Sequence, residues 1–498
     1  MKILLVLPAA EHLRATGDSV PKRKMLRFSV LSLTTVAALT PRNHQVAICD
    51  ENVQPLDFDT PCDVVGLTFM TALAPRAYEI ADEFRRRGKI VVAGGFHATF
   101  RPEEAAEHFD AVVIGEAEGL WPRVLDDIER GRLARFYRAT EPPDLAATPV
   151  PRRELTAGAS RHYVTTHAVQ TGRGCRHGCK FCSITAFARG THRSRPLEHV
   201  LEELESIPRN FMFVDDNIIG DPEYAKQLFR AMIPMKKRWI SQCSLKIADD
   251  PELLDLARAA GCRGLFVGIE TISQENLDAV NKGFNDQHGY FERIAAIQAK
   301  GIGVQAGIIV GLDGDDPTVF QRTLQFLQKA HVNALQLAIL TPQPGTPLYD
   351  DFERAGRITD RDWGHYDFRH VVMRPARMTA EQLQDGADRR YDQFYRLDRI
   401  IVRTLRAALT VGTMAAFLCW RLGMTYRYDN RRECIVGKNP ALADHVICQT
   451  AIRSTSPKPL WAVSTAAGSN PQCVRQFVQR GSPPGPSRLQ SVESTSSR

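Results

Sequence analysis

Several features are missing from this chain of 498 residues, and each absence removes a class of protein. No G-x-G-x-x-G follows the first apolar run, Ile3 to Leu7, so a nicotinamide or flavin dinucleotide is not indicated. The longest uncharged apolar stretch, Ala407 to Trp420, lies between Arg406 and Arg421 and falls short of the ~20 residues that span a bilayer. A buried helix is its first reading and an interfacial membrane helix its second. Basic residues do not alternate with aromatics along any stripe, and the net charge of +7 comes from scattered arginines and the C-terminal region. Nucleic acid is therefore not an expected partner. The opening Met1-Lys-Ile-Leu-Leu-Val-Leu-Pro8 reads as a short strand stopped by proline rather than as a signal peptide. The 11 cysteines are accordingly expected in a reducing, cytoplasmic compartment.

What is present is alternation. Residues 1–145 carry apolar runs at Ile3–Leu7, Val46–Cys49, Val64–Phe69, Ile90–Ala93 and Ala111–Ile114, with amphipathic helices Val30–Leu39, Ala74–Arg87 and Trp121–Arg130 between them. Such runs read as strands buried on both faces of a parallel sheet, giving a doubly wound, Rossmann-like α/β domain with its ligand at the strand carboxyl ends. Polar or glycine-bearing turns stand at those ends: Thr68-Phe-Met-Thr71, Gly94-Gly95-Phe-His97 and Gly115-Glu116-Ala-Glu118. The Pro-, Ala- and Thr-rich stretch from Glu141 onward predicts a linker, set at 146–159. Residues 160–345 alternate again. Six strand signals with five helices between them predict one open parallel barrel, with reactive groups at the strand C-termini. Residues 346–435 read as helical, and residues 436–498, rich in Ser, Pro, Thr and Gln, as a disordered tail.

At the start of the second region stands Cys175-Arg-His-Gly-Cys179-Lys-Phe181-Cys182. Three thiolates this close suit one face of an iron–sulfur cluster, and a cubane of four irons normally takes four such ligands. Three leave one iron open to an exogenous ligand. A zinc site is the alternative, with His177 as fourth ligand, but paired C-x-x-C motifs repeated at a distance are absent.

These cysteines, with Phe181 before the last, resemble the signature of the radical S-adenosylmethionine (SAM) superfamily. The resemblance implies a 4Fe–4S cluster on Cys175, Cys179 and Cys182 whose open iron chelates SAM. It also implies cleavage of SAM to a 5′-deoxyadenosyl radical within a partial (β/α) barrel. Carried over residue by residue, Asp215 and Asp216 would meet the SAM amino group, Glu270 its ribose or amino-acid part, and Gly307, Ile309 and Gly311 its adenine. Asp216 serves equally well as a helix cap when read alone. Arg193-Ser-Arg-Pro196 and Pro342–Tyr349 match the same class, the first beside anionic ligands and the second as an extended loop closing the barrel.

The turns G-G-x-H-x-T and I-G-E-x-E-G resemble the N-terminal cobalamin-binding domain of one radical SAM class. That class includes methyltransferases of unactivated carbon or phosphorus, hopanoid methylases and an oxygen-independent porphyrin cyclase. It implies cobalamin contacts at Thr68, Gly94, Gly95, His97, Gly115 and Glu116. The D-x-H-x-x-G of cobalamin modules is absent, and His12, directly after Glu11, is out of register, so no histidine is expected on cobalt. The implied reaction is methyl transfer from methylcobalamin to a substrate radical of a small molecule or lipid. A cyclase or rearrangement enzyme, with cobalamin absent or not donating methyl, is the alternative, and a non-catalytic binding protein the third reading. The implied partners are the substrate and an external electron donor such as flavodoxin or ferredoxin, with peripheral membrane contact open.

Overall fold

The computed structural model describes residues 1–15, 31–163 and 167–438. The first region builds a six-stranded parallel sheet from β1 (Lys2–Leu7), β2 (Gln45–Asp50), β3 (Val64–Thr68), β4 (Ile90–Gly94), β5 (Ala111–Ile114) and β6 (Phe136–Arg138), in the order β2-β1-β3-β4-β5-β6. The order reverses between β1 and β3, which opens a crevice at their carboxyl ends. Helices α1 (Leu31–Leu39), α2 (Ala74–Arg86), α3 (Phe96–Phe100), α4 (Pro102–His108) and α5 (Leu120–Glu129) accompany the sheet. Residue 30, where the first helix was expected to start, lies outside the described residues. The central strands are apolar because helices cover both faces: Ile3, Leu4, Val64, Val65 and Val112 are fully buried. The sixth strand, β6, and the short helices α3 and α4 go beyond the sequence reading. Residues 153–159 of the expected linker belong to a 3-10 segment, Arg153–Arg161, that Arg153 and Glu203 tie to the barrel.

The second region opens with β7 (Ala168–Val169), followed by a hairpin of β8 (Gly172–Gly174) and β9 (His192–Ser194), which encloses the cysteine loop and α6 (Ser183–Phe187). Strands β10 (Asn210–Phe213), β11 (Arg238–Cys243), β12 (Cys262–Glu270), β13 (Gly303–Val310) and β14 (Ala334–Ile339) then join β7 in strict sequential order, all parallel. Their crossovers are α7 (Leu197–Ser206), α8 (Pro222–Met232), α9 (Pro251–Ala259), α10 (Gln274–Ala279), α11 (Tyr290–Ala299) and α12 (Val319–Lys329). Asp221 and Asp250 cap α8 and α9, each followed by proline at the first helical position, which its fixed φ suits. The outer barrel core includes Trp239, stacked at 5.3 Å on Phe229 and edge-on at 5.2 Å to Phe213.

Beyond the barrel lie α13 (Pro347–Arg354), α14 (Ala380–Phe394), α15 (Leu397–Thr410) and α16 (Thr413–Lys438). The apolar run Ala407 to Trp420 is not one helix: Gly412, at φ +131°, breaks it into the end of α15 and the start of α16. Ala407, Ala415, Ala416 and Cys419 are buried, but Leu409, Phe417 and Trp420 are not. The expected disordered tail falls outside the described residues from position 439 onward.

Candidate cofactor sites and the cavity between them

Gly172 and Gly174 carry the chain into the cysteine loop along a path that side chains would obstruct. A Cβ on Gly172 would stand 2.8 Å from the Arg193 carbonyl oxygen, and Gly174 sits at φ +87° against Thr191. The loop is pinned from outside: the Lys180 amide donates to Val280 O at 3.0 Å, Asn281 Nδ2 to Gly178 O at 2.8 Å and the Leu348 amide to Lys180 O at 3.1 Å. The thiols of Cys175, Cys179 and Cys182 share one neighbourhood with Lys282, close enough to influence one another electrostatically. Burial raises the Cys175 and Cys179 thiols, Cys179 to about 12, so iron must displace protons to bind here. Among the described residues no three His, Cys, Asp or Glu side chains converge on a single-ion site. A cubane spreads its iron corners apart, and three separated thiolates fit it. His177, the zinc alternative's fourth ligand, stacks on Phe284 with ring centroids 3.9 Å apart.

The two aspartates after β10 part company. They lie just past the end of β10, where Phe213 packs in the outer core and Met212 lines the lumen, and they take different partners. Asp215 is buried, and its Oδ1 accepts from the Thr171 amide and hydroxyl at 2.9 and 2.6 Å and from the Gly172 amide at 2.7 Å. Burial pushes its pKa up to about 7. Oδ1 thus holds the strand that enters the cysteine loop, while Oδ2 is buried with no hydrogen-bond partner among the described residues. Asp216 Oδ2 accepts from the Gly174 amide at 2.9 Å, and this carboxylate lies beside Cys175.

Glu270 ends β12 in the left-handed region, at φ +65°, where the β12–β13 register slips. Its Oε1 pairs with Lys282, a residue the sequence reading missed. Burial lowers the Lys282 ammonium, but Glu270, Cys179 and Cys182 outweigh that and hold its pKa above the ordinary value. Lys282 also lies 6.0 Å from the Phe181 ring centre. A side chain at Gly268 would stand 2.9 Å from Lys282 Nζ, so that glycine makes room for the pair. On β13, Gly307 leaves space for the Phe266 ring, a Cβ there falling 2.7 Å away. Ile309 follows on the same face, half-buried. Gly311, at φ +95°, donates its amide to Asp315 at 3.0 Å.

At the ends of the first sheet the expected contacts divide. Gly95, at φ +95°, allows β3 and β4 to close on each other: a Cβ would stand 2.8 Å from Thr68 Oγ1 and 2.9 Å from the Phe69 backbone. Gly94 and Thr68 pair across the same two strands. Gly115, at φ +94°, has open space where its Cβ would be, and its amide donates to Thr99 Oγ1 at 2.9 Å. His97 does not stand at the rim. It is fully buried, with Nε2 3.0 Å from the Tyr78 hydroxyl and its ring 5.2 Å from that of Trp363. It is a packed residue under the turn, a correction to its expected place against the corrin. Glu116 is also committed elsewhere: it pairs with Arg173 and Arg193 on the cysteine hairpin, while Glu118 takes Arg173 Nη2 at 2.6 Å. The turn expected to touch cobalamin thus clamps the two regions together. The Pro342–Tyr349 loop adds a second tie, with Arg101 Nη2 donating to the Tyr349 hydroxyl at 2.6 Å.

A cavity of about 1200 Å³ joins the regions. Its walls are the loop after β1 (Ala9 to Arg14), the turn after β3 (Met70 to Leu73), the lumen face of the barrel and α16. The lumen face alternates glycine, apolar and amide side chains, with Phe266 between Gln242 and Gln305, and the Gln305 amide donates to the Tyr426 hydroxyl at 2.9 Å. The small Ala9-Ala10 pair after β1, unread in the sequence, leaves room in this wall of the cavity. A large planar ring fits the small loops of the first sheet, and three thiols beside a buried ammonium fit an anionic cluster.

This construction has known counterparts. The Radical SAM superfamily model matches residues 169–327 and the B12 binding domain model residues 27–125. The chain belongs to the radical SAM enzymes that carry an N-terminal B12-binding domain, with a 4Fe–4S cluster, SAM and cobalamin as cofactors. It is 32% identical over 411 residues to the bacteriochlorophyllide d C-8(2)-methyltransferase of Chlorobaculum tepidum, covering 78% of this chain and 90% of that one. It is 25% identical to the anaerobic magnesium-protoporphyrin IX monomethyl ester cyclase of Cereibacter sphaeroides, over 72% of this chain and 65% of the other. In fold it is similar to the radical SAM methyltransferase TsrM from Kitasatospora setae, with a TM-score of 0.63 at 17% identity, covering 87% of this chain and 99% of that one.

Proposed function

We propose that this enzyme methylates an unactivated carbon of a small-molecule or lipid substrate. The observation that carries the reading is the single cavity whose walls come from both cofactor-binding regions, so that one substrate can lie between them. When bound, the cluster with SAM supplies a hydrogen-abstracting radical, and cobalamin supplies the methyl group. The chain's own part is to bind, orient and keep out water. Cys175, Cys179 and Cys182 hold the cluster, and Lys282 places a cation against its negative charge. Asp216, Glu270, Gly307, Ile309 and Gly311 line the place of SAM, and Thr68, Gly94, Gly95 and Gly115 shape the strand ends for cobalamin. The apolar lining, with Phe266, Leu418 and Leu422, suits a large and mostly apolar substrate. An external one-electron donor such as flavodoxin or ferredoxin would reduce the cluster.

The test is anaerobic reconstitution followed by incubation with SAM labelled in its methyl group, a one-electron donor and bacteriochlorophyllide d as trial substrate. Deoxyadenosine together with label recovered in the corrin fraction or in a product supports methyl transfer. Deoxyadenosine without label in either would move the enzyme to the cyclase or rearrangement reading.

A further inference from the structure

The C-terminal helical hairpin carries a surface that neither the barrel nor the cavity uses. Helices α15 and α16 pack on each other through small residues: a Cβ on Gly423 would stand 3.0 Å from Ile400, and Thr404 Oγ1 lies 3.7 Å from Cys419 Sγ. Their inward side chains, Ile400, Ala407, Ala415, Ala416 and Cys419, are buried. The outward side is also apolar. Val402 is 62% exposed, Leu405 61% and Leu409 87%, with Phe417 at 48% and Trp420 at 39% on the neighbouring helix. Val402, Leu405 and Leu409 are three and four residues apart and so form one helical stripe. Of the fourteen large hydrophobics that are exposed among the described residues, eight fall between Leu397 and Tyr428. Scattered exposed apolar residues are ordinary, but a stripe is not.

The charge around this stripe is mostly positive, although Asp398 lies between Arg396 and Arg399, 3.2 and 3.9 Å away. From Arg396 to Tyr428 the sequence holds six arginines and this one acid. Arg399 and Arg406 stand exposed beside Val402 on the outer side of α15, whereas Arg403 turns inward onto the Phe394 ring. A second copy of the chain docking through the same face would bring two arginine-rich rims together, which is unfavourable. Anionic headgroups complement the rim, the aliphatic stripe suits the acyl boundary, and Trp420 suits the headgroup level.

We propose that the outer face of α15 and α16 is a peripheral docking surface for a bilayer bearing anionic lipid. Helix α16 also presents Leu418 and Leu422 to the cavity, so docking sets the cavity one helix away from the membrane. That placement suits a substrate dissolved in the bilayer, but the docking itself does not depend on methyl transfer.

The test is sedimentation of the reconstituted full chain with vesicles of phosphatidylcholine alone or with about a third phosphatidylglycerol, at low and high salt. The expected result is capture on the anionic vesicles that weakens with salt. It should fall at least about tenfold in a Leu405→Glu, Leu409→Glu double variant and in an Arg399→Glu, Arg406→Glu double variant. Both variants change exposed positions and should keep the wild-type thermal unfolding midpoint. Failure to bind anionic vesicles would overturn the proposal, as would equal capture of wild type and variants or salt-independent binding to both vesicle types. A concentration-dependent dimer in sedimentation equilibrium that the leucine variant dissociates would instead assign the face to self-association.

Discussion

The two parallel sheets differ in how their ligand-facing ends are made. In the first, the strand order reverses between β1 and β3, and the topology itself opens the crevice. The strand ends there carry small residues, Ala9 and Ala10 after β1 and Gly94 and Gly95 at the end of β4. The barrel sheet never reverses. Its end depends on individual side chains: Asp215 on Thr171 and Gly172, Asp216 on Gly174, and Glu270 on Lys282. A crevice built by topology tolerates side-chain changes, whereas one built by single contacts does not. Substitutions in the barrel should therefore remove function sharply, and those in the first sheet should act gradually or through stability.

The largest effect is expected at the cysteines. Cys175→Ala, Cys179→Ala and Cys182→Ala should each abolish deoxyadenosine formation and lower bound iron, while the first domain still binds cobalamin in optical titration. Full iron content and activity in all three would break the comparison at its root. Next comes the clamp between the regions. Arg173→Gln leaves Glu118 without its cation and Glu116 with Arg193 alone in a mostly buried place, which costs about 3 kcal/mol. Chemical denaturation followed by probes in each domain should then show a lower midpoint and two transitions that no longer coincide. Coincident, unshifted transitions would mean that the clamp contributes nothing.

A smaller loss is expected at the two carboxylates proposed to meet SAM. Asp216→Asn and Glu270→Gln keep an acceptor oxygen but lose charge, and loss of a charge-assisted hydrogen bond corresponds to roughly 10- to 100-fold in SAM affinity. Asp215→Asn should in addition lower the melting temperature, because its Oδ1 holds the Thr171 and Gly172 backbone. An unchanged melting temperature in Asp215→Asn would undo the distinction between the two neighbours. The smallest effect concerns cobalamin. Because His97 is enclosed by Tyr78, Phe69 and Trp363, His97→Ala should leave the paramagnetic resonance of bound cobalt(II) unchanged. A nitrogen coupling that disappears in the variant would place His97 on the metal after all.

The neighbouring aspartates were not separable as letters. Both stood in the stretch that the family resemblance pointed to, and only their partners, Thr171 and Gly172 for one and Gly174 for the other, tell them apart. Glu116 misled for a different reason. Its turn has the glycine and acid pattern of a ligand loop, but its partners Arg173 and Arg193 lie 57 and 77 positions away. The break at Gly412 was hidden because a run of apolar residues says nothing about where a helix must turn to meet the barrel.

The sequence by itself determined the elements whose cause is local. Strands buried on both faces must be apolar along their length, so the central strands of both sheets could be read from runs of four to eight residues, whereas the short edge strand β6 could not. Three thiolates within eight positions must lie near one another whatever the fold, so the cluster loop was legible too. The tertiary structure alone decided which charges meet. Lys282 beside the cysteines, the arginine clamp on Glu116, the burial of His97 and the cavity shared by two domains all depend on segments far apart in the chain. Burial makes those pairings strong, and burial is a property of the packed chain, not of any stretch of it.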